Sequence, residues 1–363
     1  MIVPKHTVEI LLVLVFWAAL FFSLGCDKDP VRPLPKNPRE YTWSADTLDY
    51  PGNFQTLMYN DTANNLYTVG HSSGARGLMW HFDGKTWTDV MLSTTQGGSI
   101  SGPIDLQAIH GFSANDIWAV GERLFDNPNP PPNFLDSSLV IHFNGSQWRE
   151  EKVGIGRNLW AIWGSSPSDI WASGVGGTLF HFNGSVWQRK PNPVVIPPQI
   201  FFNLNSISGA GQDEAYMLGW TDDQSIVQNT YYFFELQSGE WGVVDSAKVG
   251  GGKLEFKWGY AELWHSPWNT LYSVGDGCFK WSGSRWEQMI STSTYMESIY
   301  GSSENNLFMV GHFGELWHYN GSDWLKLANV EFDDFTYNAV WTDGKEAFVI
   351  GSNGRVTLVL HGK

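Results

Sequence analysis

Cysteine is almost missing from this chain: its 363 residues include only Cys26 and Cys278, so no disulfide framework holds the fold together. Basic residues are outnumbered, with 22 Lys and Arg against 37 Asp and Glu. The formal charge of −15 excludes a nucleic-acid-binding surface, because phosphate recognition requires a cationic footprint. Long apolar runs are also lacking. The one candidate, residues 10–24, falls short of the roughly 20 residues that a bilayer-spanning helix needs.

What the chain has in quantity is aromatic and turn-forming residues: 20 Trp, 22 Phe, 13 Tyr and 39 Gly. With 42% hydrophobic residues it can bury a large core within one domain. The aromatic residues recur with a period. The stretch 158–189, NLWAIWGSSPSDIWASGVGGTLFHFNGSVWQR, holds four β-prone runs, LWAIW, DIWAS, TLFHF and VWQR, separated by Gly-Ser-Ser-Pro-Ser, Gly-Val-Gly-Gly and Asn-Gly-Ser. Asn183-Gly184 suits a tight hairpin turn with positive φ. Nearly everything past Asn53 is a variant of this unit, and four hairpin-linked strands repeated along a chain describe a β-propeller blade.

A glycine closes the second strand of each unit, at Gly70, Gly121, Gly174, Gly219, Gly275, Gly311 and Gly351, with a mean period of about 47 residues. Three residues earlier stands an aromatic every time: Tyr67, Trp118, Trp171, Tyr216, Tyr272, Phe308 and Phe348. Fourth strands carry a tryptophan, at Trp87, Trp148, Trp187, Trp241, Trp286 and Trp324, expected to bury against the neighbouring blade. The seventh unit lacks that strand, and Trp43 in the isolated run Tyr41-Thr42-Trp43-Ser44 is the missing piece. The expected fold is all-β, a seven-bladed propeller over residues 41–363, in which the N-terminal strand closes the last blade and removes the open sheet edges. A monomer is expected.

Ahead of it, residues 1–25 read as a signal peptide: Lys5 and His6, a short apolar run, then Ser23-Leu24-Gly25-Cys26 and at once Asp27-Lys28-Asp29-Pro30. This resembles the bacterial lipoprotein signal, which implies cleavage before Cys26 and lipidation of Cys26, although Ser23 and Leu24 depart from the usual box. The acidic stretch 27–29 resembles a surface-export signal of Bacteroidota lipoproteins. Residues 26–40, rich in Pro and charge, read as a tether. The units Asn115-Asp116-Ile117-Trp118-Ala119-Val120-Gly121 and His142-Phe143-Asn144-Gly145-Ser146-Gln147-Trp148, with their copies, are similar to the repeats of secreted and lipid-anchored bacterial β-propellers. That resemblance implies an exported binding or scaffold protein and carries over no catalytic residue.

The chemistry-bearing residues mostly sit at repeated positions. His81, His142, His181 and His318 occupy one place on the third strand of four blades, so they radiate outward and cannot converge on a metal. Asp116 and Asp169 are expected to bond the backbone of the turns they follow. Asp83-Gly84-Lys85-Thr86-Trp87 is an incomplete Asp-box, and Arg is too scarce for a sialidase cluster. Three Asn-Gly-Ser triplets match the glycosylation acceptor and are read as hairpin turns, while Cys278 is read as a buried small hydrophobe. The aromatic-rich first-strand position Tyr59, His110, Trp163, Ser208, Trp264, Tyr300 and Trp341 is read as packing between blades, not as a channel lining.

Function is expected on the connections that do not repeat. Those between second and third strands, and between blades, emerge on one face, and there 93–103, 122–138, 191–199, 221–229 and 248–253 are long and different. The expected function is that of a lipid-anchored envelope propeller binding a protein or glycan, with Glu122, Phe125, Phe134, Trp220, Asp222 and Asp223 as contact residues. The alternative is a polysaccharide-active enzyme using Glu122, Asp126, Asp222, Asp223 or Asp276 as acid and base. No metal, cofactor or nucleic acid is expected.

Overall fold

Seven four-stranded antiparallel sheets follow one another in a computed structural model of the chain, which describes residues 36–48, 54–71, 77–94, 97–126, 134–197, 199–223, 228–250 and 257–363. The expected signal segment, Cys26 and most of the tether lie outside the described residues. Blade one runs from the inner strand Phe54–Thr62 to the outer strand Trp87–Asp89, blade two from Ile104–Ser113 to Trp148–Glu150, and blade three from Leu159–Ser166 to Trp187–Arg189. Blade four spans Phe201–Gly211 to Glu240–Gly250, blade five Glu262–His265 to Trp286–Ile290, and blade six Met296–Ser303 to Trp324–Lys326. The chain is a seven-bladed β-propeller.

Blade seven takes three strands from the C-terminus, Thr336–Thr342, Ala347–Ser352 and Thr357–Gly362, and its outer strand from residues Trp43–Leu48. The register is continuous from Trp43 opposite Gly362 to Leu48 opposite Thr357, so ends of the chain more than 300 residues apart share one sheet. Ahead of this strand, the compact unit begins at Lys36. Asn37 caps a short turn at Pro38–Glu40, and Arg39 reaches blade six, where its guanidinium meets the Asp323 carboxylate at 3.2 Å and donates to the carbonyls of His318 and Asp323.

In blades one, two, three and six the third-to-fourth-strand turns form because an Asn or Asp side chain satisfies the two backbone N–H groups that the turn leaves free; in blade five Ser282 Oγ accepts from the Arg285 N–H instead. Asn144 accepts from Ser146 and Gln147, Asn183 from Ser185 and Val186, and Asn320 from Ser322 and Asp323, each with a following glycine at positive φ. Asp83 plays the same part for Lys85 and Thr86, so the incomplete Asp-box is also a turn.

Blades are joined by a repeated aromatic wedge. The outer-strand Trp148 meets Tyr67 of the preceding blade edge-on at 6.5 Å, Trp187 meets Trp118 at 6.0 Å, and Trp241 meets Trp171 at 5.5 Å. Trp43 completes the series against Phe308 at 6.4 Å. On their other side the second-strand aromatics of blades one to three are clasped by the third-strand histidine: His142 stacks on Trp118 at 3.9 Å, His181 on Trp171 at 4.2 Å and His81 on Tyr67 at 4.3 Å, whereas Tyr216 and Tyr272 face Glu235 and Lys280 instead. The same histidines donate to Asp116, Asp169 and Asn65 at the start of the second strand, and Trp118 Nε1 donates to Asp116 as well. Asp116 and Asp169 therefore hold side chains of their own blade, which corrects the expectation that they bond turn backbone. A carboxylate finds a stronger donor in a half-buried imidazole N–H than in an exposed turn amide. His361, stacked on Phe348 at 3.9 Å and bonded to Glu346, is a further copy of the clasp in blade seven.

Cys278 is buried in the core of blades five and six beside Met289, and burial pushes its thiol well above the ordinary range. Trp163, Trp264 and Trp341 are buried in inter-blade clusters, as packing requires.

Deleting residues 1–48 is expected to cost the domain at least roughly 4 kcal/mol, because it removes the buried Leu48 and the Trp43 wedge and opens a sheet edge. Urea unfolding measures this; an unchanged midpoint would show that blade seven closes by another means.

Candidate functional site

The inner strands do not pair smoothly. In blade two the register jumps from Leu106 to Ala108, in blade three from Leu159 to Ala161, in blade four from Leu204 to Ser206, in blade six from Met296 to Ser298 and in blade seven from Tyr337 to Ala339. Each jump extrudes one residue from the ladder, as a β-bulge does. Opposite the residue just before the bulge stands the glycine that closes the second strand, for example Gly121 opposite Leu106 and Gly174 opposite Leu159. A Cβ on Gly121 would collide with the carbonyl oxygen of Asp105, and one on Gly174 with that of Asn158. The repeated glycine thus exists for close backbone approach at the bulge.

The extruded residues Gln107, Trp160, Asn205, Glu297 and Asn338, with Ala261 at the equivalent place in blade five, all line one cavity of about 230 Å³. Contributions from the inner strands of six blades place it on the propeller axis. Glu262, next to Ala261, lines it too, where neighbouring blades carry Ala or Ser. Asn205 Nδ2 donates to the carbonyls of Tyr260 and Ala261, while its Oδ1 is buried without a partner. Glu262 accepts from the Ile299 backbone N–H at 3.0 Å, and Glu297 accepts from His312 Nε2 at 2.8 Å. Burial pushes the Glu262 carboxyl up to about 7, and it raises Glu297 against the opposing pull of His312.

Beside Glu297, the third strand of blade four and the connections of blades five and six bring aromatic rings together. Tyr260 lies 4.9 Å from Tyr231 and 5.1 Å from Tyr295, and His312 lies 5.3 Å from Tyr295. Asp276 acts on all three tyrosines, Asp222 on Tyr231, and Glu297 on Tyr260 and Tyr295; burial first and then these anions raise the phenol groups. Burial also raises Asp276. Beside His312, Phe313 is exposed and holds a left-handed backbone at φ 57°, a strained conformation for a bulky residue.

The residues expected from the sequence divide into two groups. Glu122 and Phe125 belong to the blade-two hairpin Asp116–Asp126 and Phe134–Phe143, and Trp220 and Asp222 to the blade-four hairpin Glu214–Asp223 and Gln228–Gln237. The expected loops 122–138 and 221–229 are thus largely extensions of strands, with Phe125 opposite Leu135 and Trp220 opposite Tyr231. Reading from turn residues hid this, because cross-strand aromatic and β-branched pairs sustain a ladder beyond the blade. Phe125 is exposed, and Trp220 and Asp222 are half-buried; the side chains of Phe134, Asp223 and Asp126 lie outside the described residues. Glu122 faces Asp105 across the ladder; burial and then the Glu122 carboxylate bring Asp105 up to about 7, and burial and then the Asp136 carboxylate bring Glu122 up to about 7. Of the expected contact residues, Asp222 acts on Tyr231 of the tyrosine group at the channel mouth, and Trp220 stands opposite the same Tyr231 in the ladder. The sequence reading missed Tyr260, Tyr295, Glu262, Glu297 and His312. For Glu297 a signal was present: the channel residue lies three positions before the aromatic-rich first-strand position, at Gln107, Trp160, Asn205, Ala261, Glu297 and Asn338, whereas Tyr260, Tyr295, Glu262 and His312 stand at no repeated spacing of this kind. Among the described residues no three His, Cys, Asp or Glu gather so as to hold a metal ion.

This arrangement, a ring of seven blades around an axial cavity, is that of a propeller scaffold. The chain is similar to YCF48 bound to a D1 peptide, with 14% identity, a TM-score of 0.61 and coverage of 90% of this chain and 97% of that one. It is similar to YCF48 from Cyanidioschyzon merolae, with 10% identity, a TM-score of 0.56 and coverage of 86% and 98%. A catalytically inactive variant of virginiamycin B lyase from Staphylococcus aureus with quinupristin gives 8% identity, a TM-score of 0.59 and coverage of 88% and 99%. No family model and no curated protein matches the chain.

A carboxyl that stays protonated to higher pH in the folded chain than in the unfolded one stabilises the fold at low pH, and that contribution is lost as pH rises through its folded value. For Glu262 the window runs from the ordinary 4.5 to about 7. Glu262→Gln is therefore expected to gain stability relative to the native chain across this window, by at most about 1.4 kcal/mol per pH unit. Urea midpoints of the two proteins across that range measure the gap; a constant gap would show that the carboxyl is not held protonated by burial.

Proposed function

We propose that the protein is a lipid-anchored binding propeller of the bacterial envelope, held by Cys26, that seats an exposed segment of a partner protein on the face bearing its long hairpins. The observation that carries this reading is the asymmetry of the two faces. One has short turns closed by their own Asn and Asp side chains; the other gathers Tyr231, Tyr260, Tyr295, Asp222, Asp276 and His312 at the mouth of an axial cavity. Amphipathic aromatic rings with a polar handle supply contact area at small cost in side-chain entropy. A peptide is bound by YCF48, a similar propeller, which supports a protein ligand here. The alternative of a polysaccharide-active enzyme rests on Asp222 and Asp276, which flank Tyr231.

Tyr295→Ala, and separately Phe125→Ala with Trp220→Ala, are expected to reduce pull-down of envelope proteins at least about tenfold while the fold survives. Ser166→Asp with Ser185→Asp on the opposite face is expected to leave it unchanged. Equal loss from both faces would refute the assignment. Release of sugar from a polysaccharide panel that Asp276→Asn abolishes would replace binding with catalysis.

For the address, intact-mass analysis of membrane-extracted protein is expected to show an N-terminus at Cys26 carrying acyl chains. An unmodified Met1 terminus would overturn the anchor.

A further inference from the structure

The cavity wall is rich in acceptors. Glu262 and Glu297 present carboxylates, Asn205 Oδ1 is buried with no donor, and no Lys or Arg is among the lining residues. His312 is the one titratable donor that touches either carboxylate by a side-chain bond among the described residues. Two carboxylates withdrawn from water beside one another are costly unless a cation or a proton compensates them, and unpaired acceptors call for donors. The volume of about 230 Å³ is below the roughly 300–1,000 Å³ of sites that bury drug-sized ligands, so it suits a single side chain. Beside the cavity, Tyr260 and Tyr295 pack together at 5.1 Å, with the Glu297 carboxylate acting on both. Side chains that are donors only, that carry a positive charge and that favour aromatic faces are those of lysine and arginine.

We propose that the axial cavity takes the side chain of a lysine or arginine carried by the partner protein, its charged head between Glu262 and Glu297 and its stem passing Tyr260 and Tyr295. This rests on the reading of the long-hairpin face as a protein-binding surface and names the residue that face selects. The carboxylate on the Ala261–Glu262 pair is then a specificity device: shifting the acid one place along blade five aims it at the blade-six strand, where the Ile299 N–H fixes it beside Glu297. The net charge of −15 adds long-range attraction for a basic segment.

The test uses the full chain in detergent and an array of immobilised random peptides. Bound peptides are expected to share a Lys or Arg at one position, and replacing it by norleucine in the best binder should weaken binding at least about tenfold. Glu262→Gln with Glu297→Gln should weaken the original peptide by a similar factor and leave the norleucine peptide unchanged. Ala261→Lys, which places an ammonium of the chain's own in the cavity, should block the original peptide, with circular dichroism confirming the fold. Peptides bound without a shared cation, or insensitive to the carboxyl changes, would overturn this inference and leave peptide binding standing. Absence of any bound peptide would overturn both.

Discussion

The ring depends on an aromatic wedge repeated between blades: a fourth-strand tryptophan set against the second-strand aromatic of the blade before it. The contact is edge-on in the pairs Trp187–Trp118, Trp241–Trp171 and Trp43–Phe308, which favours the partial charges of the two rings as well as their burial. It holds because the receiving ring is itself held, by a stacked histidine whose N–H is bonded to an Asp or Asn of the same blade. In blade two every polar group of the clasp has a partner, because His142 and Trp118 Nε1 both donate to Asp116, whereas in blade three Trp171 Nε1 is buried without one. Truncating one wedge removes packing from two blades at once, and a closed ring cannot relax locally to fill the gap.

The same economy of repetition builds the channel. Blades converge toward the axis, where seven inner strands have least room, and the extrusion of one residue in every inner strand but that of blade five relieves the ladder while aiming a side chain inward. The glycine opposite permits the close approach. Because the scaffold dictates only that a residue be extruded there, its identity is free to vary: Gln107, Trp160, Asn205, Ala261, Glu297 and Asn338 share a position and no chemistry. Identical backbone steps thus furnish a lining of non-identical groups, an arrangement suited to recognition.

Charge is distributed with a similar logic. Surface carboxylates give the chain its net −15, yet the ones whose protonation is displaced most are inside or beside the long-hairpin face: Glu262, Asp105 and Glu122, all brought up to about 7 by burial. Arg39 draws His318 in the other direction: this imidazole lies 4.8 Å from Phe308 and bonds Asn306 in blade six, and burial first and the guanidinium second hold it neutral down to about 4, where the N-terminal turn docks.

The blade count, the hairpin turns, the structural role of the third-strand histidines and the closure by Trp43 were all legible from residue spacing, since a repeat prints the same packing demand on the chain seven times. What repetition could not show is which unlike residues meet. Tyr231, Tyr260 and Tyr295 are each unremarkable in their own unit, and Glu297 and Glu262 lie on different blades; only the curvature of the ring brings them to one mouth. Likewise the partner of Asp116 is a histidine 26 residues on, chosen by strand register rather than by the turn beside it. The sequence by itself determined the blades, because periodic burial needs only local pattern. The tertiary structure alone decided the site, because convergence at an axis is a property of the closed ring and of no single blade.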